Sequence, residues 1–150
     1  LGRETKIINF RVELTGTPPS SINATDVAHW RNQGGTLEVK NLTIQHGPLE
    51  MRGEGTIAMN KDLQPLAAFS LKVHGYMETL DSLQSSKLIK PNEAKFMKAV
   101  LSMLVSEKQD GEKDNGGNWI DVPLSIQDGY FYIGPLAVGR VPILQWSALN

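Results

Sequence analysis

Two runs of alternating apolar and polar residues meet at the tetrapeptide His46-Gly47-Pro48-Leu49. Alternation with a period of two is typical of a β-strand that buries one face. Glycine at the first central position of the tetrapeptide suits a type II′ turn, which joins antiparallel strands. Residues 35–59 are therefore predicted to form a hairpin, and the rest of the chain must supply what covers its apolar face.

The register of this hairpin follows from the turn and from the phase of the apolar residues. Pairing across the turn sets Leu42 opposite Gly53, but Val39 is then out of phase with Leu42. One extra residue near Lys40-Asn41 must bulge to return all apolar side chains to one face. With that bulge, Val39 meets Gly55.

Two glycines on the apolar face leave a shallow place where a ligand or another backbone can approach. The candidate hydrophobic-ligand groove therefore consists of Val39, Leu42, Gly53 and Gly55. The alternative is that these glycines exist because a helix packs closely against them.

Further alternating runs predict more strands. The first is a half-buried strand, a later run follows the hairpin, and another leads into Asp128-Gly129, whose preference for positive φ favours a type I′ turn. Past Gly134-Pro135 the phase changes again, which predicts a bend or bulge. The apolar positions of the three runs are, in chain order, Ile8, Phe10, Val12 and Leu14; Ala67, Phe69, Leu71 and Val73; and Ile120, Val122, Leu124 and Ile126.

Two helical segments are predicted between the strands. Asp26 is a candidate N-cap for a short helix over residues 27–32, which Gly34-Gly35 would end. A helical segment over residues 78–107 contains a second short helix and a longer one opened by Pro91. In the longer helix five apolar residues recur at helical spacing and are predicted to face the sheet: Phe96, Met97, Val100, Leu101 and Leu104.

The predicted fold class is α+β, with a twisted antiparallel sheet of about six or seven strands and the helical segment packed on one face. Six strands span roughly 24 to 29 Å, whereas two helices cover about 20 Å. An apolar strip is thus expected to stay open, as a ligand groove or a docking edge.

Composition narrows the functional classes. The chain has 150 residues, enough for one domain, and its 15 Lys and Arg against 16 Asp and Glu leave a net charge of -1. Without a basic field, nucleic acid is not an expected partner. Residues 1–150 are interpreted as a single domain and as a fragment of a longer protein, because the chain begins with neither an initiator Met nor a signal-peptide core.

No catalytic residue, cofactor or metal ligand is predicted. His29, His46 and His74 are the only histidines and show no metal-ligand spacing such as HExxH. The chain has no cysteine, and no G-x-S-x-G motif marks a serine nucleophile. Hydrolysis is kept only as a distant alternative.

Three aromatic residues are candidates for a partner surface. Trp119, Tyr130 and Tyr132 are predicted to project from one side of the last hairpin, as cross-strand surface pairs or as a patch that faces a partner or a membrane.

The order of these features resembles a known family. The strand pattern "GGTLEVKNLTIQHGPLEMRGEGTIAM", a helical pair, and then "DVPLSIQDGYFYIGPLAVGRVPIL" resemble the C-terminal portion of DUF2125, an uncharacterised family of Gram-negative bacteria. The repeated glycine-containing strands are also similar to those of AsmA-like envelope proteins. The resemblance covers roughly residues 35–144.

The resemblance implies a non-catalytic module of the bacterial cell envelope, periplasmic or anchored in the inner membrane and facing the periplasm, with links to lipid traffic or outer-membrane assembly. Its expected partners are a lipid or the protein's own preceding region, and membrane association is expected only through segments outside these residues. The rival hypothesis is a soluble carrier of a hydrophobic ligand. Both rest on likeness of fold and sequence, because the resemblance supplies no catalytic residue.

Overall fold

The computed structural model describes residues 7–106 and 119–149, and within these ranges it confirms the α+β prediction. Seven antiparallel strands form one sheet in the order β1 to β7, so each strand pairs with its neighbours in the chain. The strands are β1 Ile7–Leu14, β2 Leu37–His46, β3 Leu49–Met59, β4 Pro65–His74, β5 Ile120–Gln127, β6 Tyr130–Ile133 and β7 Leu136–Arg140. The helices are α1 Ala24–Asn32, α2 Tyr76–Ser85, α3 Pro91–Ser106 and the 3-10 helix Trp146–Leu149.

The predicted register of the β2–β3 hairpin is confirmed. His46 pairs with Leu49, and Leu42 pairs with Gly53. The register shifts between Val39 and Leu42, where Asn41 takes a left-handed φ of 55°. The extra residue that the phase change requires is therefore accommodated by a bulge in β2.

The C-terminal hairpin also forms as predicted. Asp128 and Gly129 have φ values of 51° and 77°. A positive φ at both central residues is characteristic of a type I′ turn. Gln127 pairs with Tyr130 across it. A second reversal occurs at Gly134, whose φ is 56°, and the pairing of β6 with β7 then shifts register.

Helix α1 has a different cap from the predicted one. Asn23 is the N-cap, because its side-chain oxygen accepts a hydrogen bond from the backbone nitrogen of Asp26 at 2.8 Å. The carboxylate of Asp26 instead accepts from the hydroxyl of Ser21 at 2.8 Å. Assigning the cap to Asp26 was wrong, because Asn23, three residues earlier, is also a capping residue type and has the extended backbone of an N-cap.

Helices α2 and α3 pack over one end of the sheet's apolar face. They contribute Leu80, Val100 and Leu101 to a buried cluster with residues of β4, β5 and β6: Leu71, Val73, Ile120, Val122 and Ile133. Met97 and Leu104 of α3 pack against this cluster. The predicted inward position of Phe96 was wrong, since 48% of its surface is exposed, whereas Ala94 is buried. The inward side of α3 is rotated toward Ala94, which lies three and seven residues before Met97 and Leu101.

A second, smaller cluster lies beneath α1. Val27 and Trp30 pack with Leu63, and the partly buried Leu37 and Met59 belong to the sheet's apolar face. The indole nitrogen of Trp30 donates to the backbone oxygen of Thr15 at 2.7 Å. Helix α1 is thereby tied to the end of β1 without covering that strand.

Strand β1 is exposed along its whole length, contrary to the half-buried prediction. Its apolar side chains alternate as expected and lie on the same face as Val39 of β2. However, 63% of Phe10 is exposed, and Ile8, Val12 and Leu14 are exposed by 44–46%. Alternation identified the apolar face correctly, but the helices do not extend far enough to cover it.

Among the helices in residues 7–106 and 119–149, none is long and apolar enough to cross a membrane. The end of the predicted helical segment at Glu107 and the polar loop after it lie outside the described residues.

Candidate functional site

The structure brings the four residues of the predicted groove together on neighbouring strands. Val39 pairs with Gly55, and Leu42 pairs with Gly53, all on the apolar face. Their cross-strand neighbours on β4 are Phe69 and Leu71.

The space above the two glycines is already filled. A Cβ atom added at Gly55 would overlap the ring of Phe69 and lie 2.6 Å from the carbonyl oxygen of Ala68. One added at Gly53 would lie 2.7 Å from Cδ2 of Leu71. The three atoms nearest to each of these positions therefore belong to β4.

An open groove does exist on the apolar face, displaced toward β5 and β6. Its volume is about 200 Å³. Of the predicted groove residues, only Leu42 lines it. The full lining of this apolar groove is Leu42, Met51, Ala67, Phe69, Leu71, Leu124, Ser125, Ile126 and Phe131.

Sequence reasoning missed most of the apolar groove, although a usable signal was present. Ala67, Ile126 and Phe131 are cross-strand partners in one row, Ala67 with Ile126 and Ile126 with Phe131. The turn at Asp128-Gly129 already sets Ile126 opposite Phe131, whereas the pairing of Ala67 with Ile126 joins β4 to β5, which no tight turn connects. What was missing was the position of α3, which leaves Ile126 and Phe131 partly exposed, whereas Val73 and Ile120 are buried.

The apolar groove continues toward the uncovered strand β1. Leu42 lies on β2, at the bulge opposite Phe10, where the pairing skips from Asn9 to Arg11. Leu42 thus links the groove to the exposed side chains of β1. Together they make an apolar surface that crosses most of the sheet, which is unusual for a protein with no partner.

The opposite, polar face of the sheet is concave over β2 to β5. Two adjoining depressions of about 580 and 720 Å³ share Glu54, Ser70 and Pro123. Their floor on the central strands is made by small side chains, including Ala68 and Ser125. Long charged side chains flank this floor, among them Glu38, Lys40, Arg52, Lys72 and Asp121.

Glu38 is held by hydrogen bonds on this polar face. The Thr56 hydroxyl donates to one carboxylate oxygen at 2.8 Å and the Thr36 hydroxyl to the other at 2.8 Å. These bonds favour the charged form and lower the pKa of Glu38. The pKa of Glu50 is lowered chiefly by its hydrogen bonds from Arg52.

Ser70 and His74 of β4 are not placed to act together as nucleophile and general base. Ser70 lies in the concavity, but His74 is four residues further along β4, about 13 Å away at 3.3 Å per residue. A general base must lie within hydrogen-bonding distance of its nucleophile. His29 is engaged with Gln33 at 2.9 Å, and no three His, Asp or Glu side chains of the described residues are placed to hold a metal ion.

The three predicted surface aromatics share the polar face but do not form one patch. Tyr130 and Tyr132 are neighbours along β6, with ring centroids 6.5 Å apart in an edge-to-face arrangement. Trp119 precedes the far end of β5, roughly 26 Å from Tyr130 along the strand. It contacts His74 at a centroid distance of 5.3 Å, and the Arg52 guanidinium lies 5.3 Å from its ring centre.

Comparison with known families shows which family the chain belongs to. A model of the family described as an uncharacterized protein conserved in bacteria, DUF2125, matches residues 4–142. The chain belongs to this family. The match also includes β1 and α1 of this DUF2125 chain, which the resemblance over residues 35–144 did not reach. No curated protein and no solved structure matches it.

Proposed function

We propose that this DUF2125 chain is a non-catalytic binding module on the periplasmic side of the bacterial cell envelope, and that its open apolar sheet face holds an acyl chain of a lipid. The observation that carries the proposal is the incomplete cover of that face. Helices α2 and α3 bury Leu71 and Val73, whereas Phe10 at the other side of the same face is 63% exposed.

The chemistry of the apolar groove suits an alkyl chain. Its side chains are apolar except for Ser125, whose own pairing with Tyr132 places its hydroxyl toward the polar face. Such a lining stabilises an apolar ligand by removing its surface from water, but it offers few directional hydrogen bonds. It therefore favours a flexible hydrocarbon over a ligand with many polar groups.

The size of the groove favours a module over a carrier. Pockets that enclose a small ligand usually measure about 300 to 1,000 Å³. The apolar groove has about 200 Å³. It is suited to holding one segment of a chain while the rest contacts β1 or a membrane, and a carrier that encloses its ligand would need more space.

The bacterial envelope setting rests on sequence likeness. The family is conserved in bacteria. The resemblance of the strand pattern to AsmA-like envelope proteins, noted in the amino-acid sequence, is what supports an envelope location. Fractionating the native bacterium tests this part, because the proposal requires the protein in the periplasmic or inner-membrane fraction. A cytoplasmic protein would refute the envelope assignment without affecting the groove.

Binding of a fluorescent fatty acid tests the groove itself. Ile126→Asp places a carboxylate in the apolar groove and is expected to reduce probe affinity at least about tenfold, because a charge would be buried beside the hydrocarbon. Gln127→Asp is the matched control, since the adjacent residue is exposed on the other face of β5. Equal binding by both variants, each with an unchanged circular dichroism spectrum, would refute the acyl-chain proposal.

A further inference from the structure

Strand β1 has an unpaired outer edge. It is the first strand of the sheet and pairs only with β2 among the described strands. All eight of its residues are exposed. A free edge of this length offers backbone donors and acceptors to another strand.

The sequence of β1 is self-complementary about Val12. Arg11 and Glu13 flank it with opposite charges on the polar face, and Phe10 and Leu14 flank it with apolar side chains on the other. When residues 10–14 are read in the opposite direction, apolar residues occupy the same positions, and the positive and negative residues exchange places. An antiparallel strand with this pattern matches itself.

We propose that β1 pairs antiparallel with β1 of a second copy of this chain, about a two-fold axis that passes through Val12. Arg11 then lies opposite Glu13 of the second copy, twice by symmetry. Phe10 lies opposite Leu14 of the second copy, and the two Val12 side chains face each other. Directly opposed side chains in such a pair have Cβ atoms about 4.5 to 5.5 Å apart, so these residues make contact.

We infer a second copy of this chain as the partner because the charges of β1 complement each other. Glu13 contacts Lys40 within the chain at 3.3 Å, and Arg11 makes no ion pair with another described residue. Pairing with a second copy gives Arg11 an acidic neighbour and keeps the contact of Glu13 with Lys40 on the other side. A two-fold interface of this kind is closed, so it ends at a dimer and does not continue into fibres.

The same arrangement removes apolar side chains of β1 from water. A two-fold axis perpendicular to the sheet keeps both apolar faces on one side. The side chains of β1, the most exposed strand of that face, then cover each other. The dimer joins the two apolar surfaces into one across a continuous sheet.

Charge exchange at positions 11 and 13 tests the proposal on the whole chain. Arg11→Glu places like charges opposite each other in both symmetric pairs, and so does Glu13→Arg. Sedimentation is expected to show self-association weakened by on the order of tenfold or more for each variant alone. An equimolar mixture of the two is expected to restore the dimer, because every opposed pair is then of opposite charge.

The control is Lys72→Glu, which changes an exposed charge on β4 and should leave the dimer unchanged. A wild-type chain that is monomeric at the highest concentration reached would overturn the proposal. So would a mixture that stays monomeric while each variant remains folded by circular dichroism. A dimer that requires phospholipid vesicles and ignores the charge changes would overturn it in favour of lipid contact.

A disulfide provides a second readout that does not depend on charge. The chain has no cysteine, so Val12→Cys introduces a single thiol that the two-fold axis sets opposite its copy. Mild oxidation is expected to convert most of this variant to a covalent dimer. Ala137→Cys, exposed on β7, is the matched control and should stay largely monomeric. Equal cross-linking of both variants would contradict pairing through β1.

Discussion

The ring of Phe69 lies across Gly55 on the neighbouring strand and occupies the space where a side chain at position 55 would begin. Gly55→Ala is therefore expected to destabilise the chain by about 1 to 3 kcal/mol, because the methyl group overlaps the ring and approaches the Ala68 carbonyl oxygen. Chemical denaturation measures this loss.

Gly139→Ala is the control for this substitution. Gly139 also pairs with a phenylalanine, Phe131, but an added Cβ would meet nothing within 4 Å. Its substitution should change the free energy of unfolding by less than about 0.5 kcal/mol or stabilise the chain slightly. Adding Phe69→Leu to Gly55→Ala should cost less than the sum of the two changes, whereas strict additivity would refute the contact.

Leu101 and Phe96 of α3 test which side of the helix faces the sheet. Leu101 is 7% exposed and Phe96 is 48% exposed. Leu101→Ala is expected to cost about 2 to 5 kcal/mol of unfolding free energy through lost burial and a cavity. Phe96→Ala should cost less than about 1 kcal/mol, and a larger loss for Phe96 than for Leu101 would show that α3 is rotated.

Trp30 is expected to anchor both α1 and the end of β1. It is 5% exposed and donates a hydrogen bond to Thr15. Trp30→Ala should reduce the unfolding free energy by about 3 to 5 kcal/mol. His29→Ala, an exposed neighbour on the same helix, should have little effect, and amide exchange in β1 should quicken only in the Trp30 variant.

The pKa of Glu38 depends on two threonine hydroxyls. Because these bonds lower the pKa below the usual 4.5, Glu38 stays ionised to lower pH in the folded chain than in the unfolded chain. The resulting stabilisation is present above about pH 4.5 and is lost as the pH falls through the folded value. Thr56→Val should raise the pKa of Glu38 in a carboxyl NMR titration. Thr43→Val, on the same face but not bonded to Glu38, should leave it unchanged.

Much of the sheet could be predicted because its determinants are local. The bulge at Asn41 follows from the phase of neighbouring apolar residues, and the turn at Asp128-Gly129 follows from backbone preferences of two residues. Pro91 marks the start of α3 because proline suits the first helical position. Each of these signals lies within a few residues of the feature that it determines.

The candidate site was less accessible to sequence reasoning. The groups that approach Gly53 and Gly55 most closely belong to β4, among them Leu71 and Phe69. Which side chain leans over a glycine depends on the twist between strands and on rotamers that neighbouring packing selects. The open groove was consequently placed one or two strands away from its position near Ile126.

The amino-acid sequence by itself determined which residues share the apolar face, from Phe10 on β1 to Phe131 on β6, because strand periodicity and turn chemistry act through adjacent residues. Only the tertiary structure decided how much of that face is covered. The docking of α2 and α3 buries Val73 and leaves Phe10 exposed, and it depends on contacts between residues far apart in the chain. Alternation shows which way a side chain points, but only packing decides what, if anything, it meets.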